Sequence, residues 1–534
     1  MTSTTAGDGD SAAAGRDSHA SSDTSALNAA QRERDLAAAS ANVSDVVVIG
    51  GGFTGAGVAL DAASRGLSVT LVERGDLASG TSSWSSKLAH GGLRYLAKGD
   101  IGIAWESAVE RGRLMNTIAP HLIRPLPMIF PLHPGIGRVE AAVTSAGFHA
   151  GNVLRLLART PKELLPRPRR VSPAAVRKLA PTTAPDGLRG GLLSWDGQLI
   201  DDARLVVALA RTAASHGAKI ITYAEATDVE PNQLHIRNRT TGDEHTLRAR
   251  QIVNAAGVWA DTLSDEVELA PSKGSHILVP AARLGDPQAA ITAAVPGHFG
   301  RYVFAVPWHN GLVMIGLTDD PHHGPIPDRA LPDDDEEAFL LDTINAVLED
   351  ELTPEDIVGG YAGFRPLIKT SATSSSADLS RRHALLRDSR TGALTVVGGK
   401  LTAYRRMAED AVDDVVRVGG LQAGPCRTTE LGLVGKGAAA PDLPERLVAL
   451  YGTDAATVTD YCKADPSLGE PVCEGIPLTG AEVRFSVEHE LALTVEDVID
   501  RRTRWGLVDV DRTDLCATVA RLAPELSTES RHEG

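Results

Sequence analysis

The run Asp45-Val-Val-Val-Ile49 passes without a break into Gly50-Gly-Gly-Phe-Thr-Gly55, and this junction constrains the fold more than any other stretch of the chain. A short β-branched apolar run reads as a strand buried on both faces of a parallel sheet. Gly50, Gly52 and Gly55 supply the G-x-G-x-x-G spacing directly behind it. Residues 56–65, AGVALDAASR, then read as an alanine-rich helix, and Gly66–Glu73 as a turn and a second strand that ends in an acid. The glycines permit a tight turn and close approach of backbone to a pyrophosphate, and the helix N-terminus offers oriented N–H groups. Glu73 stands where a carboxylate accepts from a ribose. A glycine turn that merely packs a helix on a sheet needs no such acid. The fingerprint leaves nicotinamide and flavin dinucleotides both open.

A looser match, Gly435-Lys-Gly-Ala-Ala-Ala440, is followed by Pro441 and Pro444 and reads as a linker; its Gly-Lys pair also lacks phosphate-loop spacing. With one dinucleotide site, a flavin enzyme would draw its electrons from substrate. Ala249–Ala256 and Leu394–Gly399 are two further strand-to-glycine junctions, expected to end at the same carboxyl edge of the sheet. They imply a nucleotide domain interrupted by a long insertion.

The formal net charge of −16 argues against a general nucleic-acid partner. Cys426, Cys462, Cys473 and Cys516 form no metal-binding spacing and read as thiols in a reducing compartment. No stretch reaches the ~18 consecutive apolar residues of a spanning helix. Residues 1–43, rich in Ala, Ser, Thr, Asp and Gly, read as a disordered tail. His322-His323 reads as a solvated loop, because adjacent strand side chains point to opposite faces; no metal is expected.

The stretch Lys87–Leu96, KLAHGGLRYL, sets His90 and Arg94 four apart, on one face of either regular structure. Gly91 and Gly92 disfavour a continuous helix and let backbone pass close to a flat ring. The hydroxyls of Thr81–Ser86 precede them.

Residues 45–96 closely resemble the N-terminus of FAD-dependent glycerol-3-phosphate dehydrogenase. The likeness continues through Trp195–Leu205, Ile252–Thr262, Lys273–His276, Val306–Trp308, Gly316–Asp319, Tyr361–Leu367 and Gly398–Arg405, and ends in Leu493–Thr503. It implies an α/β protein: a Rossmann-like FAD-binding domain of the glutathione-reductase and D-amino-acid-oxidase type, an inserted β-rich substrate domain and a C-terminal α-helical cap. The bounds expected are 44–415 for the FAD domain, with roughly 100–200 and 262–365 supplying the substrate part. A linker at 416–440, helices at 441–525 and a tail at 526–534 complete the chain.

The resemblance also implies oxidation of sn-glycerol 3-phosphate to dihydroxyacetone phosphate, with electrons passed to a membrane quinone. Such chemistry needs a base, phosphate ligands and positive charge near the reduced flavin. His90 and His276 are the candidate bases and Lys400 the cation beside the ring. Arg94, Tyr95, Arg365 and Arg381 match substrate positions; guanidinium groups suit a phosphate dianion. Gly50, Gly52, Phe53, Thr54, Gly55, Glu73, Thr81, Ser82, Ser86, Lys87, Leu88, Gly91, Gly92, Ala256, Gly257, Gly399, Leu401 and Thr402 are the cofactor positions. Leu317 stands where the family commonly has threonine.

Between Arg155 and Lys178 eight Lys or Arg face one acid, Glu163. With Leu154, Leu156, Leu157, Leu164 and Leu165 this segment suits an anionic lipid surface, although Pro161, Pro166 and Pro168 forbid one long helix. The expected location is cytoplasmic, peripheral on the inner face of the cell membrane, with a homodimer entertained as the assembly. The competing readings are an oxidase returning electrons to oxygen, an amine or amino-acid oxidase of similar fold, and an FAD-binding module without turnover.

Overall fold

The computed structural model describes residues 24–92, 99–298, 300–369, 383–508 and 512–527. Among these, eight strands form one sheet whose core runs in the order His383–Arg387, Leu394–Gly398, Glu244–Asn254, Val43–Ile49, Val69–Val72, Lys219–Ile221. Val43–Ile49 pairs in parallel with both Glu244–Asn254 and Val69–Val72, and Leu394–Gly398 adds in parallel beside them. The three junctions read from sequence therefore end side by side. Both faces of the strand are buried over Val46–Ile49, as the unbroken apolar run requires. Val46 and Val48 pack toward the helices Phe53–Ser64, Asp202–Ser215 and Tyr404–Gly419, while Val47 and Ile49 pack under the ribbon Ala224–Glu230 and Gln233–Asn238.

A second sheet of ten strands is assembled from Leu88–Ala89, Ile123–Pro131, Arg169–Val171 and Gly191–Leu199, and from six strands between Ser272 and Arg365. Its central pairing, Ser272–Pro280 against Gly359–Arg365, is antiparallel and sets Ser272 opposite Arg365 and His276 opposite Tyr361. The helices Glu445–Tyr451, Ala455–Ala464, Gly480–His489 and Arg512–Leu522, with a short hairpin at 471–479, make the C-terminal layer.

Several expectations are corrected. Residues 24–43 are not a disordered tail: Ala29–Ala41 is a helix capped by Asn28, whose side chain accepts from Gln31 N–H at 3.0 Å. It buries Arg32, which donates to the Thr222 carbonyl and to Asn238 Oδ1, each at 2.8 Å. Val43 already belongs to the first strand. Composition conceals this because two of the four buried residues of the helix, Arg32 and Asp35, are charged, with Leu36 and Ala39 as its apolar contacts. At the other end Leu526 is buried, and Ser527 N–H bonds the Leu493 carbonyl. Leu154 and Leu165 are core residues and face no lipid, Leu154 against Ala104 and Ala108; Leu156 and Leu157 are exposed. The four cysteines are free thiols. No helix among the described residues is long and apolar enough to cross a membrane.

Candidate active site

Where the two sheets meet, a continuous cavity of about 1460 Å³ runs from the glycine turn to the strand ends of the second sheet. Its first arm is built by the Gly50–Gly55 turn. The Glu73 carboxylate accepts from Gly51 N–H (2.7 Å), Gly75 N–H (2.8 Å) and Ser79 Oγ (3.3 Å), and burial pushes its pKa upward. Ser82 Oγ accepts from Phe53 N–H at 3.0 Å, at the start of the helix. A Cβ on Gly52 would come within 2.7 Å of Ser82 Oγ, so the bare backbone opens this arm. Gly50, Gly52, Phe53, Thr54, Glu73, Thr81, Ser82, Ser86, Leu88, Gly92, Ala256, Gly257, Gly399, Leu401 and Thr402 all line the cavity. This cradle of bare backbone, hydroxyls and a carboxylate fits a dinucleotide.

Three expected cofactor positions lie elsewhere. Gly55 packs beneath the turn, where any Cβ would collide with the Gly50 carbonyl. Gly91 leaves room for the Arg111 guanidinium and not for a flat ring. Lys87 is wholly buried behind the cavity wall: its ammonium lies 3.2 Å from Asp202 and over the Tyr361 and Trp308 rings. Burial lowers its pKa, opposed by Asp202.

The middle of the cavity holds His90, Lys400 and Arg365. His90 is nearly half exposed, and its Nδ1 lies 3.0 Å from Asp196 Oδ2. Lys400 stands at the start of the turn Leu401–Ala403, beyond the left-handed glycines Gly398 and Gly399, and its ammonium bonds Ser107 Oγ. Arg365 ends the strand Gly359–Arg365 and is held by Asp319 Oδ1 (2.9 Å), Ser272 Oγ (3.1 Å) and the Thr318 carbonyl (3.1 Å). Leu317 lines the same wall.

His276, the second candidate base, does not face this space. It is 2% exposed, stacks on Tyr361 with centroids 4.7 Å apart, and its Nε2 lies 2.9 Å from Ser86 Oγ. Burial, with Lys87 and Arg365 nearby, lowers its pKa to about 3, so the ring is neutral. It reaches the cavity through Ser86. Arg94, Tyr95 and Arg381 lie outside the described residues. His322 packs on Phe364 with centroids 4.6 Å apart, and no metal-binding cluster occurs among the described residues.

Sequence reasoning missed Asp196, Arg111 and Asp319 as partners of the site. Asp196 and Asp319 stand inside stretches that carry the family likeness, Trp195–Leu205 and Gly316–Asp319. Arg111 has no local signal, because only the packing of its helix on the second sheet brings it to Asp196.

A third arm of the cavity is apolar. Phe304 lies 6.3 Å from His90, Tyr302 6.4 Å from Phe304, and Phe130 5.7 Å from Tyr302, all between ring centroids. Met128, Val143 and Phe148 close it. Val143 belongs to the helix Arg138–Leu157, which also carries the exposed Val139, Val153, Leu156 and Leu157.

The family described as FAD dependent oxidoreductase matches residues 45–405, and the C-terminal domain of alpha-glycerophosphate oxidase matches residues 389–531. The chain is 50% identical over 503 residues to glycerol-3-phosphate dehydrogenase 1 of Mycobacterium bovis, covering 92% of this chain and 97% of that one. It is 34% identical over 535 residues to the mitochondrial glycerol-3-phosphate dehydrogenase of Arabidopsis thaliana, covering 90% and 82% respectively. Among solved structures it is similar to the glycerol-3-phosphate dehydrogenase of Bacillus halodurans complexed with FAD. That match has a TM-score of 0.72 at 26% identity over 92% of this chain and 93% of that one.

Proposed function

The chain belongs to the FAD-dependent glycerol-3-phosphate dehydrogenase family, and from that premise we propose that it oxidises sn-glycerol 3-phosphate to dihydroxyacetone phosphate and passes the electrons to a membrane quinone. The observation that carries the reading is the convergence of three unlike arms on one cavity: a dinucleotide cradle, a polar centre at His90, Arg365 and Lys400, and an apolar arm. The Gly50–Gly55 turn, Glu73 and Ser82 would hold FAD, which would supply a two-electron acceptor.

Arg365 is the residue for phosphate oxygens. Asp319 and Ser272 at Nη1 and the Thr318 carbonyl at Nη2 fix the plane of its guanidinium, so that it is an oriented and not a mobile charge. His90, the imidazole beside Asp196 in the middle of the cavity, takes the hydroxyl proton. Lys400 places positive charge beside the glycine turn, where it favours a reduced, anionic ring.

Support for the acceptor is of a different kind. The apolar arm leads from His90 toward the helix Arg138–Leu157, and Ile101, Trp105, Val139, Val153, Leu156 and Leu157 expose apolar surface on that side. Arg155 is buried, but the exposed basic residues between Arg159 and Lys178 adjoin that apolar surface, the combination that attracts an anionic lipid surface.

Anaerobic addition of glycerol 3-phosphate to the purified yellow protein tests the substrate. Bleaching of the flavin band is expected; bleaching by an amino acid and none by the phosphate would overturn it. Reoxidation of the bleached protein then decides the acceptor, with faster return under a soluble quinone analogue than under oxygen expected.

A further inference from the structure

Asp196 lies on the strand Gly191–Leu199, is 6% exposed, and uses its two oxygens differently. Oδ1 accepts from Arg111 Nη1 (2.5 Å), Gly91 N–H (3.1 Å) and Gly197 N–H (3.2 Å). Oδ2 faces His90 Nδ1 at 3.0 Å. Arg111, on the helix Ile101–Arg113, is itself buried. A Cβ at position 91 would occupy the place of its guanidinium, which accounts for glycine there.

Burial disfavours a charge on Asp196, but Arg111 and His90 outweigh it and hold the carboxyl below the usual range. An ionised carboxylate only accepts hydrogen bonds. Neutral His90 must therefore carry its proton on Nδ1, which leaves the lone pair on Nε2.

We propose that Asp196, braced by Arg111 and the N–H groups of Gly91 and Gly197, is a positioning residue that fixes His90 in the Nδ1–H tautomer and makes Nε2 the proton acceptor. The inference rests on reading the site as one that oxidises an alcohol. In that step the C–H bond of the carbinol carbon breaks and its electron pair leaves as hydride to FAD. The O–H bond breaks, its pair forms the carbonyl, and the proton forms the new bond at His90 Nε2. The resulting imidazolium lies against the Asp196 carboxylate, as in hydrolytic triads where a buried acid orients a histidine without taking its proton.

The test uses the FAD-loaded full chain labelled with [¹⁵N]histidine, with His90 signals assigned by their loss in His90→Gln. Long-range ¹H–¹⁵N spectra of the wild-type protein are expected to show neutral His90 protonated at Nδ1 and bare at Nε2. In Asp196→Asn the amide donates toward Nδ1, so the Nε2–H form should grow. Flavin reduction at saturating glycerol 3-phosphate should fall by about 100-fold or more, while the substrate dissociation constant stays within about threefold. A wild-type His90 protonated at Nε2 overturns the proposal and needs no variant. So does an Asp196→Asn protein reduced within about threefold of the wild-type rate. Failure of glycerol 3-phosphate to reduce the wild-type flavin would instead remove the alcohol-oxidation reading, and the tautomer would still decide what Asp196 does.

Discussion

Arg502 and Asp76, 426 residues apart in the chain, meet side-on in the interior, with Nη1 to Oδ2 at 2.7 Å and Nη2 to Oδ1 at 2.8 Å. Both side chains are fully buried. Asp76 sits in the loop that follows Glu73, so a C-terminal residue fixes from behind the segment that shapes the dinucleotide arm. Arg504 extends the same grip by bonding the Ser83 carbonyl. Removing Arg502 leaves Asp76 to Arg501 alone, whose Nε lies 2.5 Å from Oδ2, and takes two guanidinium donors from the buried Glu490 carbonyl. Arg502→Ala is therefore expected to destabilise the protein by about 1–3 kcal/mol in urea unfolding. It should also release FAD more readily in apoprotein titrations, and retention at wild-type affinity would show that the loop is held without it.

Gly52 and Gly55 belong to one motif but should fail differently. Gly52→Ala pushes into Ser82 and is expected to weaken FAD binding at least about tenfold, with apoprotein melting within about 2 °C of the wild type. Gly55→Ala collides with the Gly50 carbonyl and should cost about 1–3 kcal/mol of apoprotein stability. Calorimetry of the apoproteins, with flavin titrations, separates the two.

Arg365→Ala is expected to raise the dissociation constant for glycerol 3-phosphate by about 10- to 100-fold, the loss of a charge-assisted contact of roughly 1.5–3 kcal/mol. Bound flavin should be retained. Titrating the flavin spectrum with substrate measures both, and loss of colour on purification would place Arg365 in the cofactor site instead.

Lys400→Met removes a positive charge beside the Gly398–Gly399 turn. The two-electron midpoint potential of the flavin is expected to move negative by about 30 mV or more, which for two electrons is roughly 1.4 kcal/mol. Potentiometric titration against a reference dye reads it directly; an unchanged potential would place the ammonium away from the ring.

His276 makes stability depend on pH. Its folded pKa of about 3 lies below the ordinary histidine value near 6.5, so between these values the unfolded chain binds a proton that the native ring refuses. Stability contributed by the neutral ring is therefore intact above about pH 6.5. It is lost as pH falls toward 3, by at most about 1.4 kcal/mol per pH unit. In His276→Asn the fall of urea midpoints measured at pH 7, 6 and 5 should be shallower, the rest being carried by His309 and His121, whose pKa burial lowers to about 3 and about 4, and identical slopes would refute the assignment.

Local chemistry fixed what the sequence could state alone. Three apolar runs ending in glycine had to be neighbouring parallel strands, and the Gly50–Gly55 turn with Glu73 had to face a dinucleotide, because each is a requirement of backbone within a few residues. What depended on distant segments was decided only in three dimensions. His90 and His276 are equal as letters; folding puts one on the cavity with Asp196 behind it and the other beneath Ser86 on Tyr361. Lys87 looked like a cofactor ligand until Asp202 and two aromatic rings claimed its ammonium. The helix Ala29–Ala41 escaped notice because two charged residues, Arg32 and Asp35, make up half of its buried face, beside Leu36 and Ala39. In each case burial and charge pairing across long separations outweighed the local pattern, and neither can be read from spacing along the chain.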